Sequence, residues 1–434
     1  MSLNPAGLTA TDAAHRIRAG ELSPVELTRA CLARIESDDP RVRAWVHVPR
    51  ERALADAAER EREVTARAVR GPLHGVPVGI KDIIHVAGMP TTSGAGPFAH
   101  EQPAADAPVV ARLRAAGAVI LGKTATTEFA FSDPAETGNP WNLRHTPGGS
   151  SSGSAAAVAS RMVPLALGTQ TVGSVLRPGA YCGVVAVKGT HGLVPTDGVT
   201  PLAWSLDHVG AFARSVADAA LILGVIADRP FGATAAPPRV GVPVDWIRRA
   251  GSEVATHVLA MAEALRRAGA AVEEVALPKL IDEFDAVGRA VLRAETALYH
   301  HDRFGGVTGH RPGIAEAIRS GAAMPAMDYI RANRTRAAFR AAVAPLVERH
   351  DVLLTPVAPS TAPAGLTSTG DPMFCAPWSF TGMPSISLPS VVASDGLPLA
   401  IQLTAAVGRE DRLFAAAAWC EPILDFRAAP PAAR

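Results

Sequence analysis

Cysteine is scarce in this 434-residue chain, and its four residues, Cys31, Cys182, Cys375 and Cys420, lie far apart with neither disulfide-framework nor CxxC spacing. That argues against a disulfide-stapled secreted fold, and the thiols are expected to act as small apolar side chains in a reducing compartment. Net charge is nearly absent too. The 42 basic residues face 41 acidic ones, for a balance of +1, and no long run of one sign occurs, so neither nucleic acid nor an anionic membrane is an expected partner. No 18 uninterrupted apolar residues stand ready to span a membrane. The opening MSLNPAGLTATDAAHRIRAGEL holds no apolar segment of signal-peptide length. The cytoplasm is the expected location and a small neutral molecule the expected partner. Met1, Ser2 and Leu3 are set aside as a candidate expression remnant. Repeats and low-complexity tails are missing as well.

What is present is a globular composition, 48% apolar and 19% charged. Ser23, Pro24 and Glu26 have the spacing of an N-cap, a first-turn proline and a capping-box carboxylate, and Leu27, Cys31 and Ile35 then recur every fourth residue. A helix over 24–36 is predicted. Val42, Ala44, Val46 and Val48 alternate as in a strand, and 51–69 reads as a charged, Ala-rich helix. Val109, Val110 and Leu113 belong to a helix opened by Asp106 and Pro108 and closed by Gly117, followed by a short buried strand at 118–121. Further on, a strand at 239–244, a helix at 253–267 and a strand at 271–276 form a complete βαβ unit. The alternation predicts an α/β layered fold. The Pro/Gly/Ala stretch at 229–238 is the best internal boundary, and 357–372 is a second loop-rich stretch.

Serine and glycine crowd one segment, TPGGSSSGSAAAVASRMVPLALGTQTVGSVLRPGAYCGVVAVKGTHG from Thr146 to Gly192, more densely than a packed helix or strand is expected to tolerate. A flexible linker does not fit, because 155–159 and 163–167 are apolar core runs joined to the glycines. Upstream, Gly117-AVIL-Gly122-Lys123-Thr124 matches the phosphate-loop pattern, but Ala118 to Leu121 are themselves the strand, which leaves no loop to cradle phosphate. Gly149-Ser150-Ser151-Ser152-Gly153 matches a nucleophile elbow centred on Ser151, which would make the protein an α/β-hydrolase-type esterase. Residues 139–147 form a polar, proline-bearing approach where that elbow needs a strand.

A longer ordered set of motifs fits better. GGSSSGSAAAVAS followed by LALGTQTVGS, with VGIKD upstream, PTTSG at 90–94, SLDHVG at 205–210 and FTGMPSISLP downstream, closely resembles the amidase signature family. The likeness runs from about Leu8 to Leu424 and is densest over 71–210. The resemblance implies a single α/β/α domain over 1–434 with a mixed central sheet. Within it, 4–70 would form an N-terminal helical arm, 71–228 the signature core, 229–370 a variable substrate-pocket segment and 371–425 a C-terminal return to the core. It also implies a nucleophilic serine closing the second glycine-bearing motif and a bridging serine in a cis peptide 24 residues earlier. Since 174 − 150 = 24, these are Ser174 and Ser150, and the family lysine falls on Lys81. Backbone N–H groups from Thr171, Val172, Gly173 and Ser174 would form the oxyanion hole. No cofactor and no metal is implied, and a homodimer is left open.

These residue types suit amide cleavage. An amide is a poor electrophile with a poor leaving group, so an alcohol must be activated, an oxyanion stabilised and the departing nitrogen protonated. Lysine can move protons only when neutral, and the flanking Val76, Val78, Ile80, Ile83 and Ile84 are expected to desolvate Lys81 and lower its pKa. The chain has only four lysines, at 81, 123, 188 and 279. Because arginine cannot be deprotonated in a protein, a lysine in an apolar segment points to deprotonation. The motif departs from the commonest family form, GTDTGGSIR, in having Gln170, Val172 and an arginine one step late at Arg177. Ser152 and Gly189 also depart, without touching the triad.

Other constellations carry less. His300, His301 and Asp302 resemble metal ligands, but adjacent residues on a helix point about 100° apart. Asp207 and His208 could complete a serine triad with Ser174, although their family position implies a structural role. Trp246, Phe284, Tyr299, Phe304 and Tyr329 lie in the variable segment, where aromatics serve more often as core than as a ligand shelf. The expected function is an amidohydrolase acting on a small carboxamide, aryl amide, carbamate or urea-type substrate. The amidase subunit of a tRNA-dependent amidotransferase is the alternative.

Overall fold

A computed structural model describes residues 4–95, 101–232 and 234–431; the three residues set aside at the start of the chain lie outside these. Among the described residues one mixed sheet holds eleven strands: β1 (Trp45–His47), β2 (Pro77–Lys81), β3 (Val119–Thr124), β4 (Leu165–Gln170), β5 (Val185–Lys188), β6 (His208–Ala213), β7 (Arg239–Val242), β8 (Ala271–Glu274), β9 (Val352–Pro356), β10 (Ser385–Val392) and β11 (Pro398–Thr404). Their spatial order is β1-β3-β2-β4-β6-β5-β10-β11-β9-β7-β8. Strand β2 runs parallel to β3 and β4, and β7 runs parallel to β8 and β9; the other pairings are antiparallel.

Side chains alternate across this sheet, and each face carries its own apolar layer. Along β4, Leu165 and Leu167 belong to one cluster and Ala166 to the other; along β6, Val209, Ala211 and Ala213 oppose Phe212 in the same way. Helices Ala10–Ala19, Pro24–Val42, Arg50–Thr65 and Ser152–Ala159 supply residues to the second cluster, while Val216–Ala227, Ser252–Arg267, Phe284–Phe304, Ala326–Arg349 and Glu410–Leu424 supply the first. The result is the expected α/β/α layering. The βαβ unit is present, with β7 and β8 parallel on either side of Ser252–Arg267, although both strands stop two residues early, at Val242 and Glu274.

Several local expectations need correction. The Ser23/Glu26 capping box forms, but its helix continues to Val42, where Arg43 in the left-handed region ends it. The following strand is therefore only three residues long and its phase is shifted by one: Trp45 is 9% exposed and Val46 52%, so the valines do not mark the inner face. The next helix spans Arg50–Thr65, not 51–69. Asp106 does not cap the helix Pro108–Ala115; its carboxylate accepts instead from Ala87 N and Arg114 Nε, both at 2.8 Å. The Ser/Gly-rich segment does tolerate a packed helix, for Ser152–Ala159 is helical and buried throughout. Small side chains permit this. A Cβ on Gly153 would lie 2.2 Å from Ala44 O and 2.3 Å from Ala125 N.

The phosphate-loop match resolves in the same terms. Gly122, Lys123 and Thr124 lie inside β3, and a Cβ at Gly122 would meet His47 O at 2.3 Å. This glycine lets β1 pack closely against β3. Gly122→Ala is accordingly expected to destabilise the protein by about 1–3 kcal/mol, the range for overpacked sites. A lowered denaturation midpoint with kcat preserved is the result to look for, whereas an unchanged midpoint would show that β1 yields.

Candidate active site

Lys81 ends β2, and the pleat decides where it points. Val78 and Ile80 turn to the first apolar cluster, on the face of the strand opposite Lys81, and Val76, Ile83 and Ile84 belong to the same cluster. Lys81 itself is 0% exposed. Its Nζ donates to Ser150 Oγ at 2.7 Å, to Thr169 Oγ1 at 2.8 Å and to Thr169 O at 3.5 Å. Burial holds the ammonium well below the usual lysine pKa, opposed only by the Asp207 carboxylate acting at longer range. Lys123, equally buried, is instead paired with Asp82 at 3.0 Å. Lys188, pushed down to about 7 by burial, donates to the carbonyls of Met383 and Gly189. Of these three, Lys81 alone donates to a serine.

Ser150 precedes the helix Ser152–Ala159, and the Gly149–Ser150 peptide bond is cis. Ser174 lies in the turn between β4 and the helix Leu176–Cys182, and its carbonyl accepts from Ser151 N at 3.3 Å. The Ser174 side chain makes no hydrogen bond to another described residue and opens onto a cavity of about 720 Å³. The structure thus joins Lys81 directly to Ser150, while Ser174, held through its carbonyl by the next residue Ser151, lies at the cavity wall. Ser151 is fully buried, donating to Thr169 O and accepting from Thr169 N, both at 3.2 Å. No strand precedes it, and the elbow reading fails on both counts.

The turn carrying Ser174 is braced from several sides. Gln170 Oε1 accepts from Val175 N at 2.8 Å and Leu176 N at 2.9 Å, tying up the donors at the start of the next helix. Thr171 Oγ1 donates to Asp207 Oδ1 at 2.5 Å, while Asp207 Oδ2 accepts from Leu202 N and Ala203 N. Burial lifts Asp207 to about 6. His208 reaches Gln170 O and Lys188 Nζ, so neither Asp207 nor His208 serves Ser174. Among the described residues, the N–H groups of Val172, Gly173 and Ser174 have no acceptor. Gly173 is required here, because a Cβ would come within 2.8 Å of Pro372 Cβ.

Trp246 and Phe284 line the cavity; Tyr299, Phe304 and Tyr329 do not. His300 is buried and His301 exposed, as their adjacency requires; His300 Nδ1 faces His310 Nε2 at 3.1 Å. Among the described residues no cluster of His, Cys, Asp and Glu is arranged to hold a metal. Sequence reasoning missed Thr169, the second hydroxyl on Lys81, and the function of Arg177. That arginine is 4% exposed and lines the cavity near Ser174. Its Nη2 donates to Gly149 O at 2.8 Å and Thr369 Oγ1 at 3.1 Å, but Nε and Nη1 are buried without a partner. The only advance signal was its displacement by one position in the motif.

Comparison with known proteins decides the family, since the Amidase family model matches residues 26–414. The chain belongs to the amidase family. Amidase-family proteins of solved structure share its fold: one described as a crystal structure of amidase superposes with a TM-score of 0.89 at 31% identity, covering 96% of this chain and 99% of that one. Native peptide amidase from Stenotrophomonas maltophilia gives 0.83 at 31% identity, covering 98% of each. Among curated relatives, a glutamyl-tRNA(Gln) amidotransferase subunit of Anaeromyxobacter sp. (strain K) is 37% identical, over 96% of both chains.

Proposed function

We propose that this protein is an amidohydrolase that cleaves the carbon–nitrogen bond of a small amide bearing a carboxylate, through Ser174, Ser150 and Lys81. The observation that carries the reaction is the fully buried Lys81, with no carboxylate bonded to it, donating to Ser150, whose neighbour Ser151 bonds to the Ser174 carbonyl. Ser174 Oγ attacks the carbonyl carbon while its proton passes through the Ser150 hydroxyl to neutral Lys81. The same route returns a proton to the nitrogen as the C–N bond breaks. Water then cleaves the acyl-enzyme by the reverse proton path, releasing the carboxylic acid. Unpaired N–H groups at 172–174 would receive the developing oxyanion.

Arg177 replaces the neutral partner expected from the charge balance with one that bears a carboxylate. A buried guanidinium with two uncommitted nitrogens at the wall of the cavity suits an anionic group placed near the scissile bond. Four free, buried cysteines suit a reducing location such as the cytoplasm, and among the described residues no helix is long and apolar enough to cross a membrane.

A serine-reactive phosphonate is expected to modify the protein once and inactivate it, with the adduct on Ser174 by peptide mass spectrometry. An adduct on Ser151 would return the elbow mechanism to consideration, and no adduct would remove the serine nucleophile. The curated relatives favour a second reading, the amidase component of an amidotransferase. Ammonia released from a small amide by the isolated chain supports the hydrolase; turnover only with a partner protein supports the transferase.

A further inference from the structure

We infer that Gln170 and Ser379 form a one-way hydrogen-bond chain that aims the Gly173 N–H into the cavity, making both of them positioning residues for the oxyanion site; this rests on the amidohydrolase reading above. The direction of the chain follows from donor and acceptor counting. Gln170 Oε1 is occupied by two backbone donors, Val175 N and Leu176 N. The amide nitrogen must therefore be the end that meets Ser379 Oγ, at 2.9 Å. Having accepted from Gln170, the Ser379 hydroxyl spends its single proton on Val172 O, at 2.7 Å, in preference to the longer contact to Cys375 O at 3.4 Å.

The consequence lies one atom further along. A trans peptide holds its C=O and N–H in opposite directions, and the cis bond among the described residues is elsewhere, at Gly149–Ser150. Drawing Val172 O toward Ser379 thus turns Gly173 N–H away from Ser379, which does not line the cavity, and toward the side where Val172, Gly173 and Ser174 do. The next peptide is held likewise, because Gly173 O accepts from Arg177 N at 3.0 Å, which fixes the Ser174 N–H. Val175 N–H, tied to Gln170, is withdrawn from the site. Of the four backbone donors from 171 to 174, those of Gly173 and Ser174 have their directions set by carbonyls anchored on the far side. Gln170, met in the sequence as a departure from the family motif, becomes the residue that orients the chain. An acid at this position could still accept from the two helix N–H groups. When ionised it would take the Ser379 proton for itself and leave Val172 O unheld.

The test pairs Ser379→Ala with Gln170→Glu in the full-length enzyme. Ser379→Ala is expected to lower kcat by roughly 10- to 100-fold with little change in KM, since only transition-state stabilisation suffers. Ser379→Thr, which keeps the hydroxyl, should restore most of the rate. Assayed at a pH high enough to ionise the introduced carboxyl, Gln170→Glu retains the bonds to Val175 and Leu176, so a purely structural role for Gln170 predicts near-normal kcat, whereas the proposal predicts a loss like that of Ser379→Ala. The double variant should then be little worse than either single one. Should Ser379→Ala fail to fold, Gln170→Glu alone carries the same comparison. A kcat within twofold of wild type in either folded variant, or losses that multiply in the double variant, would overturn the inference while Ser174 labelling by phosphonate left the parent reading standing. Absence of that labelling in the wild type would instead remove the parent reading.

Discussion

Lys81→Arg is expected to be nearly as inactive as Lys81→Ala, with both losing about 100- to 10,000-fold in kcat, the range for removing a general acid–base group. Arginine preserves the charge but cannot surrender a proton in a protein, so it can donate to Ser150 and cannot accept from it. The environment of Lys81 makes this decisive. Its ammonium is fully buried, its hydrogen-bond partners are neutral oxygens of Ser150 and Thr169, and burial lowers its pKa well below the ordinary lysine value. Below that pKa the lysine is protonated and the relay is blocked; above it the neutral amine is available, so the rate rises with pH. Asp207, raised to about 6 and acting on Lys81 through space, is the other group able to shape this limb. Asp207→Asn should therefore displace the limb without abolishing it, because losing the carboxylate removes the influence that raises the Lys81 pKa. In Lys81→Arg the limb itself should vanish. Substantial turnover in that variant with the limb intact would place the proton acceptor on another residue.

How far the site was legible before the structure depended on whether its parts were local. The Ser23/Glu26 capping box was readable because the partners are three residues apart, and it is formed. The spacing of 24 between Ser150 and Ser174 carried a family pattern; in the structure Ser150 accepts from Lys81 and Ser174 lines the cavity. The β1 phase failed because Val46 and Trp45 compete for one inward position and a three-residue strand gives no period to choose between them. Scarcity of lysine narrowed the search to four residues. It could not separate Lys81 from Lys123 and Lys188, which are just as buried, since what distinguishes them is whether Asp82, two carbonyls or a serine faces the amine. Ser379 was invisible. It lies 209 residues from Gln170, and among the described residues the pairing of β5 with β10 is what joins the sequence-early and sequence-late parts of the sheet.

The buried arginine at the cavity wall leads to the second large effect. Replacing Arg177 by methionine is expected to lower kcat/KM for a carboxylate-bearing amide by ~100-fold or more, as truncating one side of a buried, hydrogen-bonded charge pair costs about 2–5 kcal/mol. A neutral amide of the same size should lose far less. The comparison between the two substrates is needed because Arg177 has two duties. One edge of the guanidinium already serves the protein, through Nη2 to Gly149 O and Thr369 Oγ1, and Gly149 adjoins Ser150. Losing that edge disturbs Ser150 whatever the substrate, and both amides suffer alike. Nε and Nη1, on either side of Nη2, face no protein acceptor, and their loss is felt only by a substrate that brings an anion. Arg177→Lys separates the two further, since a lysine keeps a positive charge but not the several fixed donors of a planar guanidinium. It should recover part of the charge attraction and little of the orientation. Equal losses for the charged and neutral amides would show that Arg177 is a brace for Gly149 and that the cavity reads no carboxylate.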